Sequence, residues 1–157
     1  HFKGALERVA LLDGSGDLNA TGNGLANLVT GNDGDNRLNG KGGSDTLTGG
    51  AGTDSFVFDT PLAAVGNVDR ITDFAPGEDL ILLDDAVFAL IGAPGALSAE
   101  LFGNTTDGAP DADDRIVYDH LTGTLAYDIN GSAAGGATPF ATLSVGLALS
   151  WQDVLIV

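Results

Sequence analysis

Apolar residues recur every nine positions between residues 22 and 57, each within a short stretch that follows a glycine-rich turn. The four consecutive segments are GNGLANLVT, GNDGDNRLN, GKGGSDTLT and GGAGTDSFV. In each segment, six residues rich in Gly, Asn and Asp favour a turn, and the last three suit an extended strand with one inward side chain. The pattern predicts four short strands joined by tight turns. Their inward residues are predicted to be Val29, Leu38, Leu47 and Phe56.

A three-residue strand with one inward side chain cannot bury a core alone, but strands stacked coil upon coil can. Two nine-residue units then complete one coil, and units two apart lie on the same edge. The sequence therefore predicts a parallel β-roll. Extending the register backwards starts a unit at Asp13 and places the small Ala20 inward. We expect Val9–Leu12 to form a strand and this irregular first coil to cap the roll.

The fourth segment fits the pattern G-G-x-G-x-D-x-U-x, and the run of four resembles the RTX family of calcium-binding nonapeptide repeats. In that family Ca²⁺ lies between the turns of neighbouring coils, held by backbone carbonyls and the sixth-position aspartate. The resemblance implies about two to four Ca²⁺ ions in this chain. The ligands that it implies within these turns are Gly31, Gly34, Asn36, Gly40, Gly43, Asp45, Gly49, Gly50, Gly52 and Asp54.

The sixth position changes along the run, from Asn27 and Asn36 to Asp45 and Asp54. An amide oxygen can coordinate Ca²⁺ but brings no charge, and affinity follows ligand charge. The first two turns could therefore bind metal weakly, or form an asparagine ladder that satisfies the turn backbone without metal. We favour the ladder for Asn27 and leave both interpretations open for Asn36.

The composition is strongly acidic, with 22 Asp plus Glu against 6 Lys plus Arg and a formal net charge of −16. Such a charge disfavours nucleic acids and anionic membranes as partners, and no apolar stretch predicts stable membrane insertion. The 43% hydrophobic content is too high for a disordered acidic tail, and the absence of cysteine excludes a disulfide framework. We therefore expect conditional folding, in which metal offsets the repulsion between acidic turns.

The nine-residue period stops after Val57, and the sequence then predicts strands at Val68–Phe74 and Leu80–Leu83 on either side of the turn APGED. The stretch NVDRITDFAPGEDLILL, residues 67–83, resembles the segment that follows the repeats in the C-terminal domain of serralysin-type secreted metalloproteases. The resemblance implies Asp69 and Asp79 as further Ca²⁺ ligands, with solvated carboxylates as the alternative. We expect Asp73 to be a local turn or cap residue.

The remainder predicts a β cap on the end of the roll. Helical turns are expected near Asp85–Leu90 and after Ser98, followed by an antiparallel meander with strands at Arg115–Tyr118, Thr124–Asp128 and Phe140–Leu143. The predicted fold is all-β: a parallel β-roll followed by an antiparallel β cap with one or two short helical turns. The predicted division is residues 1–58 for the first coil and the roll, and residues 59–157 for the cap.

Catalytic motifs are missing from the sequence, which has no H-E-x-x-H zinc signature and no G-x-S-x-G elbow. DINGS, starting at Asp128, opens like an EF-hand loop but has Pro139 at its twelfth position, so we expect a hairpin turn. Asp111, Asp113 and Asp114 are expected to form a solvated loop. We expect no enzyme activity in this chain, and His1 to continue a longer polypeptide whose active site, if any, precedes it.

The last seven residues, WQDVLIV, resemble the terminal signal of type I secretion substrates, an acidic residue followed by apolar residues. The matching residues are Asp153, Val154, Leu155, Ile156 and Val157. In that family an ATP-driven exporter recognises the unfolded C-terminus, so the resemblance implies this exporter as a partner and an extracellular bacterial location. A final strand of the cap is the compatible structural alternative.

Together these features predict a non-catalytic calcium-binding RTX module that folds on Ca²⁺ binding outside the cell. It would carry the type I secretion signal of a larger extracellular protein, a serralysin-like metalloprotease or another secreted hydrolase, and would contact that protein's upstream domain. Two alternatives remain: a calcium-stiffened segment of an RTX adhesin or surface-layer protein, and an accessory module of an extracellular polysaccharide-modifying enzyme.

Overall fold

A computed structural model of the chain describes residues 8–63, 65–106, 110–131 and 136–157. The fold is all-β, as predicted, with two 3₁₀ helices at Ala99–Leu101 and Trp151–Asp153. In chain order the strands are β1 Arg8–Ala10, β2 Asn19–Asn23, β3 Leu28–Thr30, β4 Arg37–Lys41, β5 Thr46–Thr48, β6 Ser55–Phe58, β7 Asp69–Ile71, β8 Leu80–Leu83, β9 Gly95–Ala96, β10 Phe102–Asn104, β11 Ile116–Asp119, β12 Thr124–Asp128, β13 Ala137–Thr142 and β14 Val154–Ile156. Neither helix of the described chain is long and apolar enough to cross a membrane.

The strands form two sheets, and the chain alternates between them from β1 to β8. The first sheet has the order β1-β3-β5-β7-β13-β12-β11-β10, and the second has the order β2-β4-β6-β8-β14-β9. Every pairing among β1 to β8 is parallel. Each coil of the chain therefore contributes one strand to each sheet, which confirms the parallel β-roll.

The core of the roll is a column of the predicted inward residues. Val29 pairs in register with Leu47, and Leu38 pairs with Phe56. All four side chains are fully buried, and Ala20, opposite Leu38, is also buried. The nine-residue pattern thus predicted the core correctly, because each coil places one apolar residue per strand on top of the residue of the coil before it.

The roll continues beyond residue 58, where the predicted division placed its end. Strand β7 pairs with β5 and β8 pairs with β6, with Thr46 opposite Arg70 and Ser55 opposite Leu80. These partners are 24 and 25 residues apart, whereas the partners of the preceding coil, such as Leu28 and Thr46, are 18 apart. Six additional residues lie between β6 and β7, and one more lies between β7 and β8. The period disappears from the sequence although the coils continue to Leu83.

The cap extends both sheets instead of forming a separate layer. Strand β13 pairs in parallel with β7, and β11, β12 and β13 form the predicted antiparallel meander. Strand β14 pairs in parallel with β8 in the second sheet. Ser98 is the N-cap of the first 3₁₀ helix, as predicted. Residues 85–90 form hydrogen-bonded turns where a short helical turn was predicted, with the N–H groups of Val87 and Phe88 both donating to the carbonyl of Asp84. The ring of Phe88 packs edge-on against Tyr127 and Phe140 where roll and cap meet.

Candidate metal centre

The turns of the roll lie on two opposite edges, each defined here by its central aspartate. The Asp45 edge consists of the turns from the second sheet to the first, residues 24–27, 42–45 and 59–68. The Asp54 edge consists of the turns from the first sheet to the second, residues 11–18, 31–36, 49–54 and 72–79. Nine-residue units two apart therefore share an edge, as the repeat predicted.

A ladder of side-chain-to-backbone hydrogen bonds joins the coils along the Asp45 edge. The N–H of Asn27 donates to Asp45 Oδ1 at 2.7 Å, and the N–H of Asp45 donates to Asp69 Oδ1 at 3.0 Å. Asp69 is 5% exposed. It is a buried member of the ladder and not a solvated carboxylate.

The same ladder runs along the Asp54 edge. The N–H of Asn36 donates to Asp54 Oδ1 at 2.9 Å, and the N–H of Asp54 donates to Asp79 Oδ1 at 2.9 Å. Asp79 Oδ2 accepts the N–H of Ala75, and Asp79 is buried. The structure thus brings together two aspartates on each edge: Asp45 with Asp69, and Asp54 with Asp79.

Glycines at the first position of the repeats let oxygen atoms approach closely. A Cβ added to Gly40 would overlap Asp45 Oδ2, and one added to Gly49 would overlap Asp54 Oδ2. A Cβ on Gly31 would overlap both the carbonyl oxygen of Gly49 and Asn36 Oδ1. The other predicted glycines lie against backbone of the preceding coil: Gly34 against Gly16, Gly43 against Leu25, Gly50 against Asn32, and Gly52 against Gly34. Side-chain and carbonyl oxygens therefore converge where these glycines leave space.

Burial makes the ionised form of these aspartates unfavourable without a cation. Burial raises the pKa of Asp69 to about 7 and the pKa of Asp54 to about 6. At Asp54 the hydrogen bond from the N–H of Asn36 opposes this rise, and the neighbouring carboxylates of Asp79, Asp73 and Asp35 add to it. Burial also raises the pKa of Asp45 and of Asp79. Both edges therefore attract positive charge.

Two buried carboxylate oxygens on the Asp45 edge have no hydrogen-bond partner among the described residues. Within the described chain, the buried side-chain oxygens without a partner are Asp45 Oδ2 and Asp59 Oδ1. Asp45 is 2% exposed, so water at the surface does not hydrogen-bond to Asp45 Oδ2. A buried acceptor of this kind normally has a partner, and a metal ion between the coils would supply one.

In the earlier turns, asparagine side chains form hydrogen bonds with the turn backbone and with each other. Asn36 Oδ1 accepts the N–H of Asn32 at 2.7 Å, and Asn36 Nδ2 donates to Asn32 Oδ1 at 2.8 Å. Asn32 Nδ2 in turn donates to the carbonyl oxygens of Leu12 and Gly16, at 2.9 and 3.0 Å. Asn27 Oδ1 likewise accepts the N–H of Asn23. These contacts match the asparagine ladder that was one of the two interpretations of the first turns.

The donor set fits a hard divalent cation. The described residues contain no group of three or more His, Cys, Asp or Glu side chains placed to hold a metal, so backbone carbonyls would have to complete the coordination. Ca²⁺ accepts 6–8 oxygen ligands in flexible geometry, including carbonyls. Asp45 with Asp69 would hold an ion on one edge, and Asp54 with Asp79 on the other.

Sequence reasoning missed two further contacts between coils. Asp73 is not a local cap: its two carboxylate oxygens accept the N–H groups of Gly49 and Gly50 in the preceding coil, both at 2.9 Å. The spacing of 24 residues that separates Asp45 from Asp69 also separates Gly49 from Asp73, so the second spacing could have been found from the first. Lys41 Nζ lies 2.7 Å from Asp59 Oδ2, a pair that the repeat pattern does not mark.

The remaining candidates lie away from the two edges. Asp128 Oδ1 accepts the N–H groups of Asn130 and Gly131, which agrees with the predicted turn. Asp114 differs from the predicted solvated loop, since it is buried and accepts the N–H of Asp111. His120 Nδ1 is hydrogen-bonded to Thr105 Oγ1, and His1 lies outside the described residues. The C-terminal residues Val154, Leu155 and Ile156 form β14, with Asp153 before and Val157 after it.

Comparison with known proteins agrees with the geometry of the repeats. Residues 21–58 match the family described as RTX calcium-binding nonapeptide repeat, in four copies. Among solved structures, the AlgE6R3 subunit from the Azotobacter vinelandii mannuronan C5-epimerase is similar, with 22% identity, a TM-score of 0.47, and coverage of 90% of this chain and 79% of that chain. No curated protein matches the sequence. Residues 21–58 therefore carry RTX calcium-binding nonapeptide repeats.

Proposed function

We propose that this chain is a calcium-gated folding and export module of a larger extracellular bacterial protein. The family match of residues 21–58 to calcium-binding nonapeptide repeats supports calcium binding in this proposal. The gating, the export signal and the parent protein go beyond that match. The observation that supports gating best is the buried, unpartnered Asp45 Oδ2 together with three more buried aspartates on the two edges.

The buried aspartates destabilise the metal-free roll when they ionise. Each has a pKa raised by burial, so its ionisation opposes folding. Bound Ca²⁺ supplies the positive charge that these carboxylates and carbonyls lack. A ligand that binds only the folded state adds about 2.7 kcal/mol per site at a hundredfold excess over its dissociation constant. Two such sites are comparable with the whole stability of a small domain, which is about 5–15 kcal/mol.

The proposed export signal is the C-terminal segment from Asp153 to Val157. In the folded chain Val154 and Ile156 are buried, and β14 pairs with β8 along the second sheet. A type I exporter could therefore read these residues only before the roll closes. Low calcium inside the cell would keep the segment accessible, and higher calcium outside would fold it into the sheet.

The rest of the proposal concerns the parent protein. Residues 67–83 resemble serralysin-type proteases and residues 151–157 resemble the terminal signal of type I secretion substrates, which supports a secreted hydrolase as the parent, with its catalytic residues elsewhere. The acidic charge of −16 supports the absence of nucleic acid from its partners. An adhesin or a polysaccharide-modifying enzyme as the parent would be distinguished by the sequence upstream of residue 1.

A calcium titration followed by far-UV circular dichroism tests the gating. The expected result is a largely unfolded spectrum in a strong chelator and a cooperative gain of β signal as Ca²⁺ is added, which Mg²⁺ does not reproduce at the same concentration. A spectrum that is identical in chelator and in calcium would refute calcium-gated folding. Export is tested separately, by secretion of a fused reporter through a type I exporter with the apolar residues of 154–157 replaced by Ser.

A further inference from the structure

The C-terminal segment makes a direct contact with a turn of the Asp54 edge. Asp153 Oδ1 accepts the N–H of Gly77 at 2.7 Å. Its other oxygen, Oδ2, accepts the N–H of Ser150 at 2.8 Å and the hydroxyl of Ser150 at 3.0 Å. Asp153 is 3% exposed. Its carboxylate therefore ties the 3₁₀ helix that precedes β14 to a residue 76 positions earlier in the chain.

Gly77 belongs to the same turn as Asp79, the last aspartate of the Asp54 ladder. Within that turn the N–H of Asp79 donates to the carbonyl of Ala75, and the N–H of Ala75 donates to Asp79 Oδ2. Gly77 has a positive φ of 81°. Two hydrogen bonds between Ala75 and Asp79 therefore close this turn. Two residues outside the turn contact it: the carboxylate of Asp153 accepts the N–H of Gly77, and the N–H of Asp54 donates to the carboxylate of Asp79.

Asp79 and Asp153 also line one cavity of about 550 Å³, between the turn at residues 76–80 and the segment at residues 148–153. Glu78 lines it as well, and none of its described lining residues is Lys or Arg. Among the described residues, the hydrogen bond from the N–H of Gly77 to Asp153 joins the two segments, and the described ion pair, Lys41 with Asp59, lies elsewhere. Loss of that bond would leave their acidic groups facing each other without compensation.

We propose that Asp153 is a positioning residue for the Asp54 edge: by holding Gly77 it fixes the turn that carries Asp79, and it couples docking of β14 to calcium affinity on that edge. The coupling is reciprocal, so calcium on the Asp54 edge would favour docking of the C-terminal strand by the same factor. The Asp45 edge has no contact of this kind with the C-terminal segment among the described hydrogen bonds. This inference rests on the proposed calcium gating, and it adds which residue links the calcium site to the C-terminus.

The test is a residue-resolved calcium titration by ¹H–¹⁵N NMR of the full chain. The amide of Asp54, which donates to Asp79, reports the Asp54 edge, and the amides of Asn27 and Asp45 report the other edge. Asp153→Ala should raise the calcium midpoint of the Asp54 amide roughly tenfold, because a hydrogen bond to a charged group is lost. The midpoints on the Asp45 edge should move by less than about twofold. Fluorescence of Trp151, the single Trp, should report docking of the segment with the same raised midpoint.

Two further variants make the result decisive. Leu125→Ala removes a fully buried side chain of β12 in the first sheet and should shift both edges alike, since it destabilises the fold without contacting Gly77. Asp153→Asn retains only one acceptor oxygen and should give an intermediate shift of the Asp54 edge, which keeps the test available if Asp153→Ala does not fold. Equal shifts on both edges in both Asp153 variants, or none, would overturn the positioning role. A wild-type spectrum insensitive to calcium would overturn the proposed function and this inference together.

Discussion

Replacing Asp69 by Asn should stabilise the protein without calcium and remove most of the stabilisation that calcium provides at this site. Asp69 is buried, and its Oδ1 accepts the N–H of Asp45. An Asn side chain keeps that acceptor and removes the charge. Burial raises the pKa of Asp69 from 3.8 to about 7, so the metal-free fold binds this proton more tightly than the unfolded chain does. The stability contributed by the protonated group is therefore lost as pH rises from about 4 through 7.

The magnitude follows from the same pKa. One pKa unit corresponds to about 1.4 kcal/mol, so ionised Asp69 destabilises the metal-free fold by up to about 4 kcal/mol at pH 8. At pH 5 the penalty falls below about 2 kcal/mol, because the folded form is then protonated. With calcium at a hundredfold excess the wild type regains about 2.7 kcal/mol for this site, and the Asn variant loses most of that gain.

The folded fraction from far-UV circular dichroism in chelator, and urea unfolding in calcium, each at pH 5 and pH 8, measure these differences. Asp85→Asn is the matched control, because it removes the same charge at an exposed position in the turn at residues 85–90. The expected pattern is a larger folded fraction for Asp69→Asn than for the wild type in chelator at pH 8 and a smaller advantage at pH 5. In calcium at a hundredfold excess and pH 8, the advantage in the free energy of unfolding should shrink to about 1 kcal/mol. If Asp69→Asn is no more folded than the wild type in chelator at pH 8, the idea that buried charge opposes metal-free folding is refuted.

Three other predictions concern the glycines, the pH and the core. Gly31→Ala should destabilise the folded protein by several kcal/mol, since its Cβ would overlap backbone of the next coil, whereas Gly24→Ala, with nothing within 4 Å, should be tolerated in thermal unfolding. Calcium affinity measured by calorimetry should rise between pH 5 and pH 8, and calcium binding in this range should release protons. The reason is that Asp54 and Asp69 have pKa values of about 6 and about 7 and that calcium binds their ionised forms. A calcium affinity that does not change with pH would contradict this prediction. Phe56→Ala should lower the free energy of unfolding in calcium by about 3–5 kcal/mol, and a loss below about 1 kcal/mol would show that the column of inward residues does not carry the core.

The repeat pattern predicted the coils because it records a local geometry. A turn of six residues followed by a strand of three is visible in any one unit, and Val29, Leu38, Leu47 and Phe56 follow from it directly. The two edges follow as well, since alternate units must face the same side. These features need no knowledge of contacts between distant parts of the chain.

Features that depend on distant contacts could not be predicted in the same way. The roll continues to Leu83 because β7 pairs with β5 and β8 pairs with β6. Seven additional residues in the turns before β7 and β8 interrupt the nine-residue period, so the sequence does not show this continuation. Asp73 looks like a turn residue until its partners Gly49 and Gly50 are known. Asp153 lies within a motif that resembles an export signal, and only the fold shows that it also contacts Gly77.

The longer turn between β6 and β7 shows that turn length and coil register are independent in this roll. The six additional residues leave the ladder intact, because Asp69 accepts the N–H of Asp45 just as Asp45 accepts that of Asn27. The turn ends at Asp69, whose carboxylate accepts the N–H of Asp45 in the preceding coil, and this contact does not depend on the number of residues in the turn. Val65, near its middle, is 90% exposed. This turn is consequently the natural place to insert an epitope, a fluorophore-labelling tag or a short foreign peptide while the neighbouring coils keep their spacing.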